Sequence, residues 1–591
     1  MSDDAADSYQ VSPQQERVWE TQAGGPGARV QAIVEIQDEV DFEALANALG
    51  KAVGRHEILR TTFRRQPGLT YPLQVVHGAL APHTETIDLE AGPEARSAWL
   101  AEASAAELRA PLDLEHGPLL RALVAGSGGR AEAVILTASA MCLDEASAAA
   151  LLAEVRDHLA GGPVAEDPLQ YADFAAWQLE LADSDDDEAR GARAFWAEGG
   201  EHASPGLPFA RSGGETGAPR EPQRAAVAID EPTRDALAQQ AEHQGTDAAA
   251  IAQAAWHVVL AAFGSAESST VAYLAAERRH GDLQGALGAF ARPVPVTVQA
   301  ERSRAFAEVV ADVTRARRDA LVQQDYAPAT ARAPEIGFVE YPGLVAEGAG
   351  ARMSIASVLA GGTGFSLSCV CSTGKGGLAA GLVFDGERHR RESVETLAGA
   401  FACVLAAVAA DPGLTLADLE LVDEPLRRRL MDDFSGPAAA PPDACAHELI
   451  ARWAASARDR AAVVDDTGSV TYAELVARSN QLAHRLIAAG AGTGAAVGLC
   501  TDRSIDMVVG LLGILQAGAT YVPLHHEHPP ARLQHQLETA GAVALVTQEP
   551  LLGRVPDDFV GERVCLDRDR ADLEAQPDSP PGATVAPGDL A

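Results

Sequence analysis

The stretch that most constrains the fold is Ser139-Ala140-Met141-Cys142-Leu143-Asp144-Glu145-Ala146-Ser147. An apolar run, Ala133-Val134-Ile135-Leu136, comes before it and a helical pattern comes after. Over 146–159 that pattern puts Leu151, Leu152, Val155 and Leu159 on one face, the spacing of an amphipathic helix. Asp144 and Glu145 stand where a helix N-cap or a first-turn acid is favoured. Two hydroxyls, one thiol and two carboxylates thus crowd between a strand-like run and a helix.

Similar alternation recurs elsewhere. Val30-Gln31-Ala32-Ile33-Val34-Glu35-Ile36 reads as a strand with one buried face. Residues 41–49 read as a helix start capped by Asp41, 248–263 as a helix, and Ala496-Val497-Gly498-Leu499-Cys500 as an apolar strand. A turn is expected at 24–27. Linkers are expected at 199–224, rich in Gly, Pro, Ser and charge, and at 434–443, with Pro437, Pro441 and Pro442. The tail from 576 to 591 is rich in Pro and Gly. A chain of 591 residues suffices for roughly three to five units at about 100–200 residues each.

Charge is lopsided, with 84 acidic against 46 basic residues and a net −38. Nucleic-acid partners call for clustered Lys and Arg, and anionic membranes for polybasic patches, so neither partner is expected. The first ten residues carry Asp3, Asp4 and Asp7 in place of the basic and apolar regions of a secretory leader. No uninterrupted apolar run reaches the length of about 18 residues expected of a membrane span. The expectation is a cytoplasmic protein whose seven cysteines stay reduced. Cys369 and Cys371 are expected on one face of a strand, as packing groups.

Short signatures resemble, in order, those of the condensation domain of nonribosomal peptide synthetases. Ser12-Pro13-Gln14-Gln15-Glu16-Arg17-Val18-Trp19 looks like the opening one, and Arg55-His56-Glu57-Ile58-Leu59-Arg60-Thr61-Thr62-Phe63 is a near-complete match to the second. Leu112 to Arg121, Tyr171-Ala172-Asp173-Phe174-Ala175-Ala176-Trp177, Gly285 to Pro295 and Gln324-Asp325-Tyr326-Ala327-Pro328 continue the series. Farther on, Val470-Thr471-Tyr472-Ala473-Glu474-Leu475 and Leu515 to Leu524 resemble the first two adenylation-domain signatures. The resemblance implies an α/β fold of two chloramphenicol-acetyltransferase-like lobes in a V-shaped pseudodimer, at 8–198 and 225–432. The N-terminal part of an adenylation large subdomain would follow at 444–591. It also implies work on aminoacyl or peptidyl thioesters. Upstream and downstream peptidyl carrier proteins would bring these on phosphopantetheine arms, within a larger synthetase. ATP and Mg belong to an intact adenylation domain. The phosphate loop of that domain falls beyond Gly588-Asp589-Leu590-Ala591, so amino-acid activation is not expected, and an early cut and a natural stump are the two explanations.

The family normally has two adjacent histidines where this chain has Ser139 and Ala140, and a glycine where it has Glu145. Amide formation needs a neutral amine to attack a thioester carbonyl, and an imidazole poised near neutral pH serves that step. Ala140 has no polar atom, and an isolated Ser139 hydroxyl is a poor base. Asp144 is the family's architectural aspartate, whose arginine partner would be Arg55 or Arg60. The plainer reading makes it a helix cap. Cyclization domains use an aspartate, four residues, a second aspartate, two residues and a serine; Ser139, Asp144 and Ser147 sit at those spacings, with the first aspartate replaced. Cys142 is either a nucleophile, for which His56 or His116 would have to approach, or a small buried hydrophobe. Glu145 is either an acid or base in a dry tunnel, suited to β-elimination, or an exposed first-turn glutamate. The cluster His525-His526-Glu527-His528 reads as a surface loop in preference to a metal site. Condensation, a cyclizing or dehydrating variant, and a non-catalytic docking platform for carrier proteins or trans-acting enzymes all remain open at this point.

Overall fold

In the computed structural model the apolar run 133–136 becomes the middle of a ten-residue strand, Arg130–Ser139. The structure describes residues 7–21, 28–89, 93–161, 167–198, 206–210, 222–276, 278–327, 334–342, 352–359, 363–374, 377–434, 436 and 442–591. The chain divides into two compact units, Met1–Gly436 and Pro437–Ala591. The turn expected at 24–27 lies outside the described residues, as do 199–205 and 211–221 of the first expected linker and 435 and 437–441 of the second.

Strands of the first unit are β1 (Asp7–Gln10), β2 (Arg29–Asp41), β3 (Thr61–Arg64), β4 (Leu73–Val76), β5 (His83–Asp88), β6 (Leu120–Ser127) and β7 (Arg130–Ser139). Then come β8 (Pro222–Ala226), β9 (Ser268–Ala275), β10 (Arg292–Gln299), β11 (Ile336–Pro342), β12 (Met353–Leu359), β13 (Leu367–Gly374) and β14 (Gly377–Asp385). They form a five-stranded sheet in the order β12-β2-β7-β6-β5, a six-stranded sheet in the order β10-β9-β11-β13-β14-β8, and a small sheet β1-β4-β3. β7 is antiparallel to both neighbours, with Arg29 opposite Ser139. Its inward residues Val134, Leu136 and Ala138 are buried beneath α2 (Phe42–Arg55) and α4 (Glu145–Leu159). Asp41 stands at the N-cap of α2, but its side chain makes no capping bond.

The two halves of this unit are interlocked. β12, far along the chain, pairs antiparallel with the edge of β2. The core under α2 and α4 also takes in Leu274, Leu287, Phe290 and Val339 from the second half. The range 225–432 therefore supplies one strand to the first sheet, and Pro222–Arg224, at the end of the expected linker, already belong to β8. A second core lies around the helices Ala248–Gly264 and Arg391–Ala410. The latter has 20 residues and is apolar enough to cross a membrane by length and composition. Here Val394, Leu397, Phe401, Val404, Leu405 and Val408 are buried in that core, the pattern of a core helix. Cys369 and Cys371 share the buried face of β13, their sulfurs 3.7 Å apart.

The second unit is built on four parallel strands, β17 (Ala496–Cys500), β18 (Thr520–Pro523), β19 (Ala542–Thr547) and β20 (Glu562–Cys565), in the order β18-β17-β19-β20. A hairpin, β15 (Ala461–Asp465) and β16 (Gly468–Thr471), accompanies them. The signature Val470 to Leu475 has a local reason. Thr471 Oγ1 accepts from the Glu474 N–H at 3.2 Å, and the Glu474 carboxylate accepts from the Thr471 N–H at 2.8 Å. That reciprocal pair starts the helix Tyr472–Ala488. His525, His526 and His528 lie in the loop before the helix Pro530–Ala540, where His526 Nε2 faces Asp502 at 3.2 Å.

Candidate active site

The loop after β7 turns sharply because its own backbone closes it. The N–H groups of Cys142 and Leu143 both donate to the Ser139 carbonyl, at 2.8 and 3.1 Å. Gln15, on the helix α1 (Pro13–Thr21), donates to the Met141 carbonyl at 2.9 Å. Asp144 then caps α4, accepting from the Ser147 N–H at 2.6 Å.

From Asp144 onward the loop is bonded to the second half of the unit. The Asp144 N–H donates to the Gly288 carbonyl at 3.0 Å, and its Oδ2 accepts from the Phe290 N–H at 3.0 Å. Arg278, just past β9, donates to Asp144 Oδ1 at 3.3 Å and to Ser147 Oγ at 2.6 Å. Ser147 Oγ also donates to the Gly288 carbonyl at 2.7 Å and accepts from the Gly288 N–H at 3.0 Å. A hydroxyl has one proton and two lone pairs, so Ser147 is saturated. The Arg278 guanidinium lies 4.4 Å over the Phe290 ring. Gly288 is required here, because a Cβ would fall 1.8 Å from the ring of Tyr171. Tyr171 opens the helix α5 (Tyr171–Asp183), the next labelled after α3 (Pro93–Arg109) and α4. Its hydroxyl donates to the Ala289 carbonyl at 2.8 Å and meets Ser12 Oγ at 2.7 Å.

On its other side the loop walls a small pocket between the two halves, open to solvent. Gln14, Arg17, Ala140 and Glu145 line it from the first half, and Ala289 and Thr363 from the second. Among the described residues no imidazole lines this pocket. Glu145 is 3% exposed. Burial, helped by the neighbouring Asp144, raises its carboxyl to about 8, so it is mostly protonated at neutral pH. Arg17 donates to the Thr363 carbonyl at 2.7 Å, and burial lowers its guanidinium to about 10.

Several expectations change. The partner of Asp144 is Arg278, in place of Arg55 or Arg60. Arg55 ends α2 and meets Glu154 at 2.7 Å, ten residues farther along α4 than Asp144. At about 1.5 Å per residue that is some 15 Å away. Arg60 donates to the His77 carbonyl and faces Glu57 at 3.4 Å. Glu145 is buried where an exposed first-turn residue was the plainer reading. Cys142 packs in the first core, and burial pushes its thiol far above the ordinary range, which removes the nucleophile reading. His56 bonds Glu154 and His116 bonds Asp113, so neither imidazole serves Cys142. Ser139 is fully buried and accepts from the Met141 N–H at 3.2 Å. Arg278, Gly288, Tyr171 and Arg17 had not been given a role; Gly288, Tyr171 and Arg17 sat inside matched signatures, and nothing local marked Arg278.

Residues 5–328 match the family model described as "Condensation domain". The chain belongs to the condensation-domain family. Residues 450–591 match the model described as "AMP-binding enzyme", so the condensation domain is followed by the N-terminal part of an adenylation domain. The chain is 28% identical over 574 residues to tyrocidine synthase 3 of Brevibacillus parabrevis, covering 92% of this chain and 8% of that one. The chain thus spans about a twelfth of that relative's length. Its fold is that of the nonribosomal peptide synthetase FmoA3, with a TM-score of 0.60 at 21% identity, covering 99% of this chain and 62% of that one. The X-domain solved in complex with OxyB from teicoplanin biosynthesis has a TM-score of 0.55 at 23% identity, covering 71% of this chain and 97% of that one. The two-lobe α/β architecture of the condensation domain is shared with these structures.

Proposed function

We propose that the junction pocket handles aminoacyl or peptidyl thioesters held on carrier proteins during nonribosomal peptide assembly, and that it does so with a degenerate motif. The observation that carries this reading is the pocket itself. It opens between the two halves, and Ala140 and Glu145 line its wall. In this reading Ala140 stands where the family's second histidine stands, and the lobes correspond to 8–198 and 225–432, with the adenylation part at 444–591. Upstream and downstream carrier proteins of the same cytoplasmic synthetase bring phosphopantetheine arms to the pocket. ATP and Mg serve only a complete adenylation domain, and no nucleic acid or membrane takes part. Positioning alone supplies about 7–11 kcal/mol in well-oriented reactions, so loss of the imidazole is compatible with amide formation.

A second reading, a docking platform, is favoured by the burial of Ser139 and Cys142 and by the saturation of Ser147. The similar X-domain, solved in complex with OxyB, is a partner-bound example of the fold. The test loads both neighbouring carriers with defined thioesters and follows products by mass spectrometry, with Ser139→Ala as control. Amide is the expected product, with the control unimpaired. Ring or dehydro product would favour the tailoring variants, and no product from any loaded pair would leave the platform.

A further inference from the structure

The protic side chains of residues 139–147 divide cleanly. Ser139, Cys142, Asp144 and Ser147 are buried in packing or bonded across the junction. Asp144 and Glu145 both line the pocket, and of the two only Glu145 has no other residue donating to its side chain, among the described residues. The charged groups around it are Asp144 on its own loop, Arg278 beyond β9, and Arg17 on α1 across the pocket. Arg278 is held by Asp144, Ser147 and the Ala276 carbonyl, and Arg17 by the Thr363 carbonyl. The Glu145 carboxyl is met by its own backbone N–H and by no other donor that the structure places on it, and the cavity beside it leaves room for one more: that partner arrives with the substrate.

We infer, on the reading proposed above, that Glu145 is a catalytic residue of this pocket, whose carboxylate holds the acceptor amine beside Ala140 and takes its proton during amide formation. The amine nitrogen attacks the thioester carbonyl carbon, and a C–N bond forms. The C–S bond breaks, and the electron pair leaves with sulfur. The proton shed by nitrogen passes to Glu145 and from there to the departing thiolate, giving an amide and a free pantetheine thiol. Burial already tunes the group to this step. A base works best when its pKa lies near the operating pH, and a carboxyl at about 8 is roughly one-tenth ionised at pH 7.

The experiment measures single-turnover amide formation between loaded carriers from pH 6 to 9, for the native chain and for Glu145→Gln. The native rate should climb as pH rises toward about 8 and then level, because only the ionised carboxylate accepts a proton. Glu145→Gln should lose about a hundredfold or more, as removal of a general base typically does, and lose the climb. A companion measurement is urea unfolding of both proteins from pH 5 to 9. The folded-state carboxyl is raised, so the native state binds more protons than the unfolded chain between about 4.5 and 8. Native stability should therefore fall across that window, and the Glu145→Gln midpoint should not follow it. A variant that keeps its rate within threefold, or keeps the pH climb, overturns the inference alone. Parallel unfolding slopes overturn it too. No amide from the native chain with any loaded pair overturns the underlying reading, and this inference with it.

Discussion

Two faces of one loop behave in opposite ways. On the face of Asp144 and Ser147, donors and acceptors are matched to Arg278, Gly288 and Phe290. On the face of Ala140 and Glu145, the loop meets a cavity and no side chain answers the carboxyl. One short signature therefore does two jobs, joining the halves of the unit and walling the space between them. The contrast breaks most sharply at Asp144. Asp144→Ala takes the carboxylate from the half-buried Arg278 guanidinium and leaves the buried Ser147 and Phe290 N–H groups without their acceptor, a loss of about 3–5 kcal/mol. Chemical unfolding of the 591-residue chain should show it in the transition of the first unit. Glu145→Ala removes no bond to another residue, so a loss as large there would erase the distinction between the faces.

The next largest effect tests the joint from its other side. Gly288→Ala puts a methyl 1.8 Å from a ring carbon of the fully buried Tyr171. Overpacking of this kind costs about 1–3 kcal/mol, sometimes more. In a Tyr171→Leu background the same substitution should cost less, because the ring atoms it strikes are gone. Additive costs in the double variant would mean that the two sites do not share the strain.

How much of this was readable beforehand follows from where the forces act. β7, α4 and the Asp144 cap were legible because periodicity and capping are local. The start of the helix Tyr472–Ala488 is just as local, since Thr471 and Glu474 bond across three positions, but residues 470–475 were read only as a family signature. Arg278 was not legible. It lies 134 residues from Asp144, and only the folded junction brings them together. β12 shows the same limit, since its residues say that it is a strand but not which sheet it will edge. At Glu145 local reasoning pointed the wrong way: first-turn acids are usually exposed, and here the second half covers the helix end. Arg55 misled for a related reason, because its helix directs it along α4 to Glu154.

Glu154 offers the smallest and most selective test, since it shares α4 with Glu145 and should respond to acid with the opposite sign. Burial alone would raise its carboxyl, but hydrogen bonds and charge from His56 and Arg55 bring it down to about 2. A lowered folded-state value means stability that is present above the unfolded value near 4.5 and lost as pH falls toward 2. Solvent reaches the side chain, which is 16% exposed, so Glu154→Gln should cost only about 1 kcal/mol at neutral pH. The gap between native and variant, followed by urea unfolding, should close as pH drops from about 5 to about 2. For Glu145→Gln the gap instead opens as pH rises from about 5 to about 8, and in favour of the variant. Slopes of opposite sign on one helix would separate a carboxylate that is held by partners from a carboxyl that lacks them. Slopes of the same sign would mean that solvent or an unseen donor reaches Glu145, and the two faces of the loop would then differ in shape alone.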